Sequence, residues 1–337
     1  MKNLHKYVYP QSFILESGES LDKLEITYHT IGTFRKDSKV VWVCHALTAN
    51  SDVSDWWSGL FGAGNYFDKE EYFVVCANVL GSCYGTTGPL SKRNDEELYY
   101  LDFPKITPRD MANAHEVLRQ ELKINEIDLL IGSSLGGQQA QEFAYILKEN
   151  LNNLILIATN PFHSPFGIAF NEAQRLALLA DPTFLACVDG GGEAGLVAAR
   201  SFAMLSYRSY DGYLKTQRET DAHKTDDFKA SSYQRYQGEK LANRFNAYSY
   251  WYLSKAMDAH NIGRNRISVQ KALQEIRAGT LVIGINSDIL FPVSEQQFLA
   301  DAIPNAKLEI IDSIFGHDGF LVETELLEQL IDEFLKK

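Results

Sequence analysis

The sequence predicts an α/β fold with a mostly parallel central sheet, helices on both faces and an inserted helical lid. Short apolar runs recur along the chain with helical patterns between them, which is typical of strands that are covered on both faces. From about Pro161 to Arg277 these strand runs stop and amphipathic helical stretches follow one another. We therefore expect a core of residues 1–160 and 278–337 and a lid of residues 161–277.

The individual elements follow in chain order. The opening "SFILESGESLDKLEITYHTIGT" reads as an antiparallel hairpin turned at Ser17-Gly18. Six apolar runs predict strands: "VVWVCH" from Val40, "YFVVCAN" from Tyr72, "DLLIGS" from Asp128, "LILIAT" from Leu154, "TLVIGI" from Thr280 and "LEIID" from Leu308. Before the third run, "TPRDMANAHEVLRQEL" predicts a helix with Thr107 as N-cap, Pro108 at the first helical position and Asp110 three residues past the cap.

Composition excludes several classes of protein. The 337 residues are 45% hydrophobic and 23% charged, as in a globular enzyme, and the net charge of -12 argues against sequence-independent nucleic-acid binding.

The four cysteines form no C-x-x-C pair and have no metal-ligand spacing, so we expect neither a disulfide framework nor a metal site. No secretory signal and no membrane span is apparent, so we expect no membrane association and a cytoplasmic protein.

The stretch "DLLIGSSLGGQQAQEFAY" predicts a catalytic serine. It fits G-x-S-x-G in one register, Gly132-Ser133-Ser134-Leu135-Gly136. A strand that turns sharply into a helix can present a side chain at the turn only if its neighbours lack bulk, which explains the two glycines. Ser134 is the predicted nucleophile, and the N–H of Leu135 at the helix start is one predicted oxyanion donor. Glycine-serine runs also form plain turns, but the position between an apolar strand and a helix favours catalysis.

A serine nucleophile requires a histidine base and a carboxylate, in the chain order serine, acid, histidine. His317, in "SIFGHDGF", follows the last predicted strand and is the predicted base. The other histidines after Ser134 lie in the helical insertion, where packing or solvent exposure is the usual role: His163, His223 and His260. Asp288 ends the preceding strand run and is the predicted acid; Asp312, close to His317 in sequence, is the alternative.

The second oxyanion donor is predicted in "VCHALTANSD", after the first of the six strand runs. Its best candidate is the backbone N–H of Leu47. His45 stands at the strand end, where a histidine more often supports a loop by hydrogen bonding than takes part in chemistry.

Longer blocks of the chain resemble one family closely. The blocks "VCHALTANSDVSDWW", "YFVVCANVLGSCYGTTGP", "FPKITPRDM", "IGSSLGGQQAQEFA", "YQRYQGEKLANRFNAYSYWYLSKAMDAH" and "INSDILFP…FGHDGF" are similar to the homoserine O-acetyltransferase family of the α/β-hydrolase superfamily. The resemblance spans nearly the whole chain. The second and fifth blocks are the most specific, because general hydrolases do not share them.

The resemblance implies a two-step acyl transfer with small-molecule substrates. Acetyl-coenzyme A would acetylate Ser134, and the side-chain hydroxyl of L-homoserine would then take the acetyl group, which gives ping-pong kinetics in methionine biosynthesis. Acetyl-coenzyme A is a co-substrate, and no permanently bound cofactor is implied. The family also implies a homodimer that associates through the lid.

The resemblance further implies three substrate-binding residues. Arg200 matches the lid arginine that pairs with the carboxylate of the amino acid, and Asp318 matches the residue that binds its ammonium group. Tyr207 resembles a lid tyrosine that faces the site. The chain departs from the family's G-G-S-M-G-G at Ser133 and Leu135, which border the acyl pocket.

Three alternatives stay open from sequence. Relatives that transfer succinyl groups or accept serine share the same motifs, so the donor and the acceptor are not decided. A serine hydrolase or esterase would use the same three residues to pass acyl groups to water. A non-enzymatic binding protein of this fold is the third alternative, because fold does not determine function.

Overall fold

The computed structural model describes residues 2–68, 70–93 and 97–336. Its strands are β1 (Lys2–Tyr9), β2 (Phe13–Ile14), β3 (Ser20–Leu21), β4 (Leu24–Ile31), β5 (Lys39–Cys44), β6 (Tyr72–Ala77), β7 (Ile127–Ser133), β8 (Leu151–Ile157), β9 (Gly279–Ile285) and β10 (Ala306–Ile311). Within the described residues, eight of these strands form one sheet in the order β1-β4-β6-β5-β7-β8-β9-β10. The remaining two, β2 and β3, pair with each other.

The sheet is parallel except at one edge. Strand β4 runs antiparallel to both β1 and β6, whereas the neighbours from β6 to β10 are parallel. The six predicted apolar runs coincide with strands β5 to β10. The predicted α/β class with a mostly parallel sheet is therefore confirmed.

The N-terminal segment differs from its prediction. The hairpin turned at Ser17-Gly18 is only the two-residue pairing of β2 with β3, and β4 pairs instead with β1. Strand β1 was not predicted, because most of its described side chains are exposed and it therefore lacks an apolar period. An edge strand with charged residues is a common way to end a sheet without inviting further pairing.

Helices cover both faces of the sheet. They are α1 (Val53–Trp56), α2 (Pro108–Glu121), α3 (Leu135–Leu147), α4 (Pro165–Ala180), α5 (Glu193–Tyr207), α6 (Tyr210–Gln217), α7 (Lys229–Ala242), α8 (Ala247–Asp258), α9 (Val269–Gln274), α10 (Val293–Ala302), α11 (Gly319–Val322) and α12 (Thr324–Leu335). Short 3₁₀ turns lie at Tyr66–Asp68, Tyr100–Asp102, Lys148–Asn150 and Gly316–Asp318. No helix among the described residues is both long enough and apolar enough to cross a bilayer.

Helix α2 begins as its sequence predicts. The Thr107 hydroxyl accepts from the Asp110 N–H at 3.3 Å, and the Asp110 carboxylate accepts from the Thr107 N–H at 2.8 Å. Pro108 occupies the first helical position, where a missing N–H costs nothing. This reciprocal cap satisfies two backbone donors that the first turn would leave without partners.

Alternate residues of the central strands face two separate cores. Trp42 of β5 packs on one face, where its ring meets Phe143 of α3 edge to face at 5.5 Å. Val41 and Val43 point to the other face, against Trp57 and Phe320. Because these strands are buried on both faces, their sequences are continuously apolar rather than alternating.

The lid segment is helical. Between β8 and β9 the described chain forms α4 to α9 and adds no strand to the sheet. The chain leaves and re-enters the core side by side, with a bridge between Phe162 and Asn261 and a hydrogen bond from the Ile262 N–H to the Pro161 carbonyl at 3.0 Å. Helix α9 packs on α3 and α10 of the core. The division of the chain at residues 160 and 277 stays a prediction.

A pH-dependent stability is expected from the buried imidazole of His115. Burial lowers the pKa of His115 to about 4, whereas an exposed histidine titrates near 6.5. Between these values the unfolded chain binds the proton and the folded chain does not. The free energy of unfolding therefore decreases as the pH is lowered, by up to about 1.4 kcal/mol per pH unit for one group. His115→Gln should therefore show a shallower loss of unfolding free energy than wild type, measured by urea titration from pH 7 to 4.5. Parallel curves would contradict the prediction.

Candidate active site

Ser134 lies at the turn between β7 and α3 in a strained backbone conformation. Its φ is 56° and its ψ is -126°, a region that side-chain-bearing residues rarely occupy. A Cβ atom at Gly132 would overlap the Gly136 carbonyl, and one at Gly136 would overlap the Cys44 carbonyl. The two glycines of the motif are therefore required by close backbone packing at this elbow.

The structure brings Ser134, His317 and Asp288 into one hydrogen-bonded chain. His317 Nε2 lies 2.9 Å from the Ser134 Oγ, and His317 Nδ1 lies 2.7 Å from the Asp288 Oδ2. All three side chains are more than nine-tenths buried. The three predicted residues thus meet at the carboxyl edge of the sheet, although they are separated by 183 positions between serine and histidine.

The predicted acid, Asp288, and the predicted base, His317, are held by further contacts. Asp288 Oδ1 accepts from the backbone N–H groups of Leu290 and Phe291 at 2.8 and 2.9 Å, which leaves Oδ2 for the imidazole. The ring of His317 stacks on Phe291 with centroids 5.0 Å apart. The alternative acid, Asp312, instead contacts the Asn286 amide.

The two predicted oxyanion donors flank the serine. Leu135 is the first residue of α3, where a helix leaves backbone N–H groups without intrahelical partners, and Leu47 lines the same cavity as Ser134. In the part of the chain that the structure describes, no protein acceptor binds the N–H of Leu47 or Leu135. Both N–H groups are available to a ligand oxygen.

His45 orients the peptide that carries the Leu47 N–H. Its Nε2 accepts from the Val79 N–H at 3.0 Å, so the ring proton is on Nδ1, which donates to the Ala46 carbonyl at 2.8 Å. Burial lowers the pKa of His45 to about 4, which keeps the imidazole neutral. Because the peptide between Ala46 and Leu47 is planar, fixing its carbonyl fixes its N–H. The predicted supporting role of His45 agrees with these contacts.

A cavity of about 430 Å³ opens above Ser134 and His317. Its walls come from the loop after β5, from α1 and from the lid. Its lining includes Leu47, Thr48, Asn50, Asp55, Trp56, Ser134, Arg200, Tyr207, Lys240, Arg244, His317, Asp318 and Phe320. All three residues that the family resemblance predicts for substrate binding therefore face the same space as the serine.

Those three residues form a linked group beside His317. The Arg200 guanidinium lies over the Tyr207 ring at 5.1 Å, and that ring lies 5.6 Å from the imidazole of His317. Asp318 is paired within the protein, because Arg208 Nε lies 3.0 Å from its Oδ2, at an angle that makes an ion pair rather than a hydrogen bond. Burial raises the pKa of Asp318, and Arg208 opposes that rise.

Several site residues were missed from sequence. Arg208 follows Tyr207 directly, but nothing in its spacing indicated a contact with Asp318. Lys240 and Arg244 belong to the block "YQGEKLANRF", which is typical of the family, and that specificity was the available signal. Within the described residues, no group of histidine, cysteine, aspartate or glutamate side chains is arranged to hold a metal ion.

A chain of polar side chains near Ser134 was also not predicted. Gln138 of α3 donates to the Asn160 amide oxygen at 2.9 Å, and Asn160 donates to the Glu295 carboxylate at 3.0 Å. Burial raises the pKa of Glu295 to about 7, and the nearby Asp288 contributes to that rise. Glu295 is thus a second carboxyl near Asp288, and its pKa is raised towards neutrality.

Comparison with known proteins identifies the family. The family profile described as alpha/beta hydrolase fold matches residues 39–324. A homoserine O-acetyltransferase of Cyclobacterium marinum is 47% identical over 326 residues, which cover 96% of this chain and 93% of that protein. A crystal structure of homoserine O-acetyltransferase from Staphylococcus aureus superposes with a TM-score of 0.84 at 29% identity, and covers 100% of this chain and 96% of that one.

A crystal structure of an acetylester hydrolase from Corynebacterium glutamicum superposes with a TM-score of 0.88 at 19% identity, and covers 99% of this chain and 96% of that one. This second likeness shows the fold alone. The identity and coverage of the curated relatives, together with the family profile, show that the chain belongs to the homoserine O-acetyltransferase family of the α/β-hydrolase fold.

Proposed function

We propose that the chain transfers an acetyl group from acetyl-coenzyme A to the side-chain hydroxyl of L-homoserine, as a step of methionine biosynthesis. Membership of the family supports homoserine acetylation. The observation that carries the mechanism is the 2.9 Å contact between His317 Nε2 and Ser134 Oγ at the base of a cavity that also contains Arg200 and Asp318.

The first half-reaction acetylates the enzyme. Ser134 Oγ attacks the thioester carbonyl carbon and its proton passes to His317 Nε2, while Asp288 stabilises the imidazolium. The carbonyl oxygen becomes an oxyanion that accepts hydrogen bonds from the N–H groups of Leu47 and Leu135. The carbon–sulfur bond then breaks, the coenzyme A thiolate takes the proton from His317, and acetyl-Ser134 remains.

The second half-reaction transfers the acetyl group to the acceptor. The homoserine hydroxyl gives its proton to His317 and attacks acetyl-Ser134 through a second oxyanion, and Ser134 recovers the proton as it leaves. The Arg200 guanidinium suits the acceptor carboxylate, and Asp318 suits the ammonium group. Asp318 would share its charge between this ammonium and Arg208, and Tyr207 would pack beside the acceptor.

An ester hydrolase is the alternative function, because the same three residues support both reactions. An acetylester hydrolase has the same fold, so the fold itself is compatible with this alternative. The position of Arg200 in the cavity favours an amino-acid acceptor, since a hydrolase does not need a guanidinium for water.

The purified chain should release coenzyme A from acetyl-coenzyme A in the presence of homoserine, and Ser134→Ala should abolish this activity. The reason is that the acetyl group must first be carried by Ser134 Oγ. Intact-protein mass spectrometry without acceptor should detect one acetyl group on wild type and none on the variant. Faster turnover with succinyl-coenzyme A, or with serine in place of homoserine, would correct the donor or the acceptor; no release of coenzyme A would refute the proposal.

Arg200→Ala should raise KM for homoserine by about tenfold or more, because a charge-assisted hydrogen bond contributes about 1.5–3 kcal/mol. Hydrolysis of p-nitrophenyl acetate in the absence of acceptor should keep its rate. Arg218→Ala, an exposed arginine outside the cavity, is the matched control. Equal losses in both reactions would show that Arg200 supports the site as a whole rather than the acceptor.

We also propose a homodimer that associates through the lid. Helices α4 and α5 pack together and leave large apolar side chains exposed: Leu176, Leu179, Phe202 and Leu205. Analytical ultracentrifugation should find a dimer of the wild type and a monomer of Leu205→Glu, because the buried charge would lack a partner. Ile310→Glu, an exposed apolar residue of β10, should leave the dimer intact. A monomeric wild type at micromolar concentration would contradict the proposal.

A further inference from the structure

An arginine of the lid contacts the loop that carries one oxyanion donor. Arg244 lies two residues beyond the end of α7 and lines the same cavity as Ser134. Its Nη1 donates to the Thr48 carbonyl at 2.6 Å and to the Tyr84 hydroxyl at 2.7 Å. Thr48 is the residue after Leu47, so the contact lies next to the peptide that faces the nucleophile.

Two peptide groups connect this contact to the Leu47 N–H. The Thr48 carbonyl shares a planar peptide with the N–H of Ala49, which donates to the Ala46 carbonyl at 3.1 Å. The Ala46 carbonyl in turn shares a peptide with the N–H of Leu47. The donors therefore all point in one direction, from the guanidinium of Arg244 through two peptides to the N–H of Leu47.

A hydrogen-bond chain of this kind is cooperative. When a carbonyl accepts a hydrogen bond, the N–H of the same peptide becomes a stronger donor, and successive bonds strengthen one another. The chain ends at the buried residue Leu47, whereas Arg244 itself is exposed. A cation at the end of the chain has the largest polarising effect, because charged donors make the stronger bonds. Arg244 is therefore placed to increase the donor strength of Leu47 without touching the substrate.

We propose that Arg244 is a positioning residue for the oxyanion hole, which it orients and polarises through this two-peptide relay. The inference rests on the proposed function, because it requires the Leu47 N–H to bind the oxyanion. Since Arg244 belongs to the lid, the oxyanion hole has its full strength only when this part of the lid is seated on the loop.

Other contacts hold the loop in place without Arg244, so the polarising effect of Arg244 can be tested separately from the folding of the loop. Its beginning is held by His45, whose Nδ1 contacts the Ala46 carbonyl and whose own carbonyl accepts from Gln139 at 3.1 Å. Its end is held by Trp56, whose Nε1 donates to the Asn50 carbonyl at 2.8 Å. Removal of Arg244 leaves these anchors in place and removes the charge from the middle of the loop.

The test compares Arg244→Ala with Arg244→Lys, Tyr84→Phe and Arg235→Ala in two reactions. The matched control, Arg235, is an exposed arginine on α7 that pairs with Asp227. One reaction is hydrolysis of p-nitrophenyl acetate without acceptor, and the other is acetyl transfer from acetyl-coenzyme A to homoserine. Circular dichroism and thermal unfolding establish that each variant is folded.

Arg244→Ala should lower kcat in both reactions by about tenfold or more, but by less than the roughly 10²–10³-fold that follows removal of an oxyanion donor. Its KM for acetyl-coenzyme A should change by less than about twofold. Inhibition by phenylboronic acid, which forms a tetrahedral anion on the serine oxygen, should weaken in parallel with kcat. Arg244→Lys, or guanidinium ions added to Arg244→Ala, should restore part of the rate. Tyr84→Phe, which keeps the Thr48 contact, should lose less than Arg244→Ala.

Three results would overturn the inference. A higher KM for acetyl-coenzyme A with unchanged ester hydrolysis would make Arg244 a ligand of the anionic part of the donor. Unchanged kcat in both reactions would show that the relay has no catalytic effect. An equal loss in Arg235→Ala would assign the effect to the lid in general. If the wild type hydrolyses the ester but does not use acetyl-coenzyme A, the proposed function fails, and the ester reaction still tests the relay.

Discussion

The arrangement of the site depends on the backbone of Ser134, which is held in a conformation that an isolated peptide would avoid. The surrounding fold determines it from both sides: the Ser134 N–H donates to the Ile157 carbonyl at 3.0 Å, and the Ser134 carbonyl accepts from the Thr159 hydroxyl at 2.9 Å. The strain, of order 1–3 kcal/mol, is tolerated because the buried parallel strands β7 and β8 place both partners. This geometry directs the hydroxyl at His317 and starts α3 beneath it.

The same geometry is compatible with more than one acyl acceptor, so in the proposed function the residues of the lid distinguish between acceptors. Ser134, Asp288 and His317 come from the core, at the ends of β7, β9 and β10. Arg200 and Tyr207 come from α5 of the lid, and Asp318 pairs with Arg208, which directly follows that helix. The proposed acyl transfer to an amino acid thus uses residues from both parts of the fold, which line one cavity.

The lid also contacts the loop that carries Leu47, the proposed oxyanion donor. Arg244, just beyond α7, contacts the backbone of Thr48. The Thr48–Ala49 peptide, the bond from the Ala49 N–H to the Ala46 carbonyl and the Ala46–Leu47 peptide extend that connection to the Leu47 N–H. His45 fixes the same peptide from the core, with a tautomer set by the Val79 N–H. The loop is thus contacted by a neutral, buried group on one side and by a charged group of the lid on the other.

Features that depend on residues close together in sequence could be predicted from the chain alone. The apolar runs of the parallel strands, the Thr107 cap and the glycines around Ser134 follow from local geometry, and the chain order of Ser134, Asp288 and His317 follows from strand ends that meet at one sheet edge. Contacts between distant segments could not be predicted in this way. The pairing of β1 with β4, the ion pair of Asp318 with Arg208, and the bond from Arg244 to Thr48 have no periodic signal, and the last joins residues 196 positions apart. Such contacts depend on how the lid and the loops pack in three dimensions, because packing, rather than local propensity, brings those side chains together.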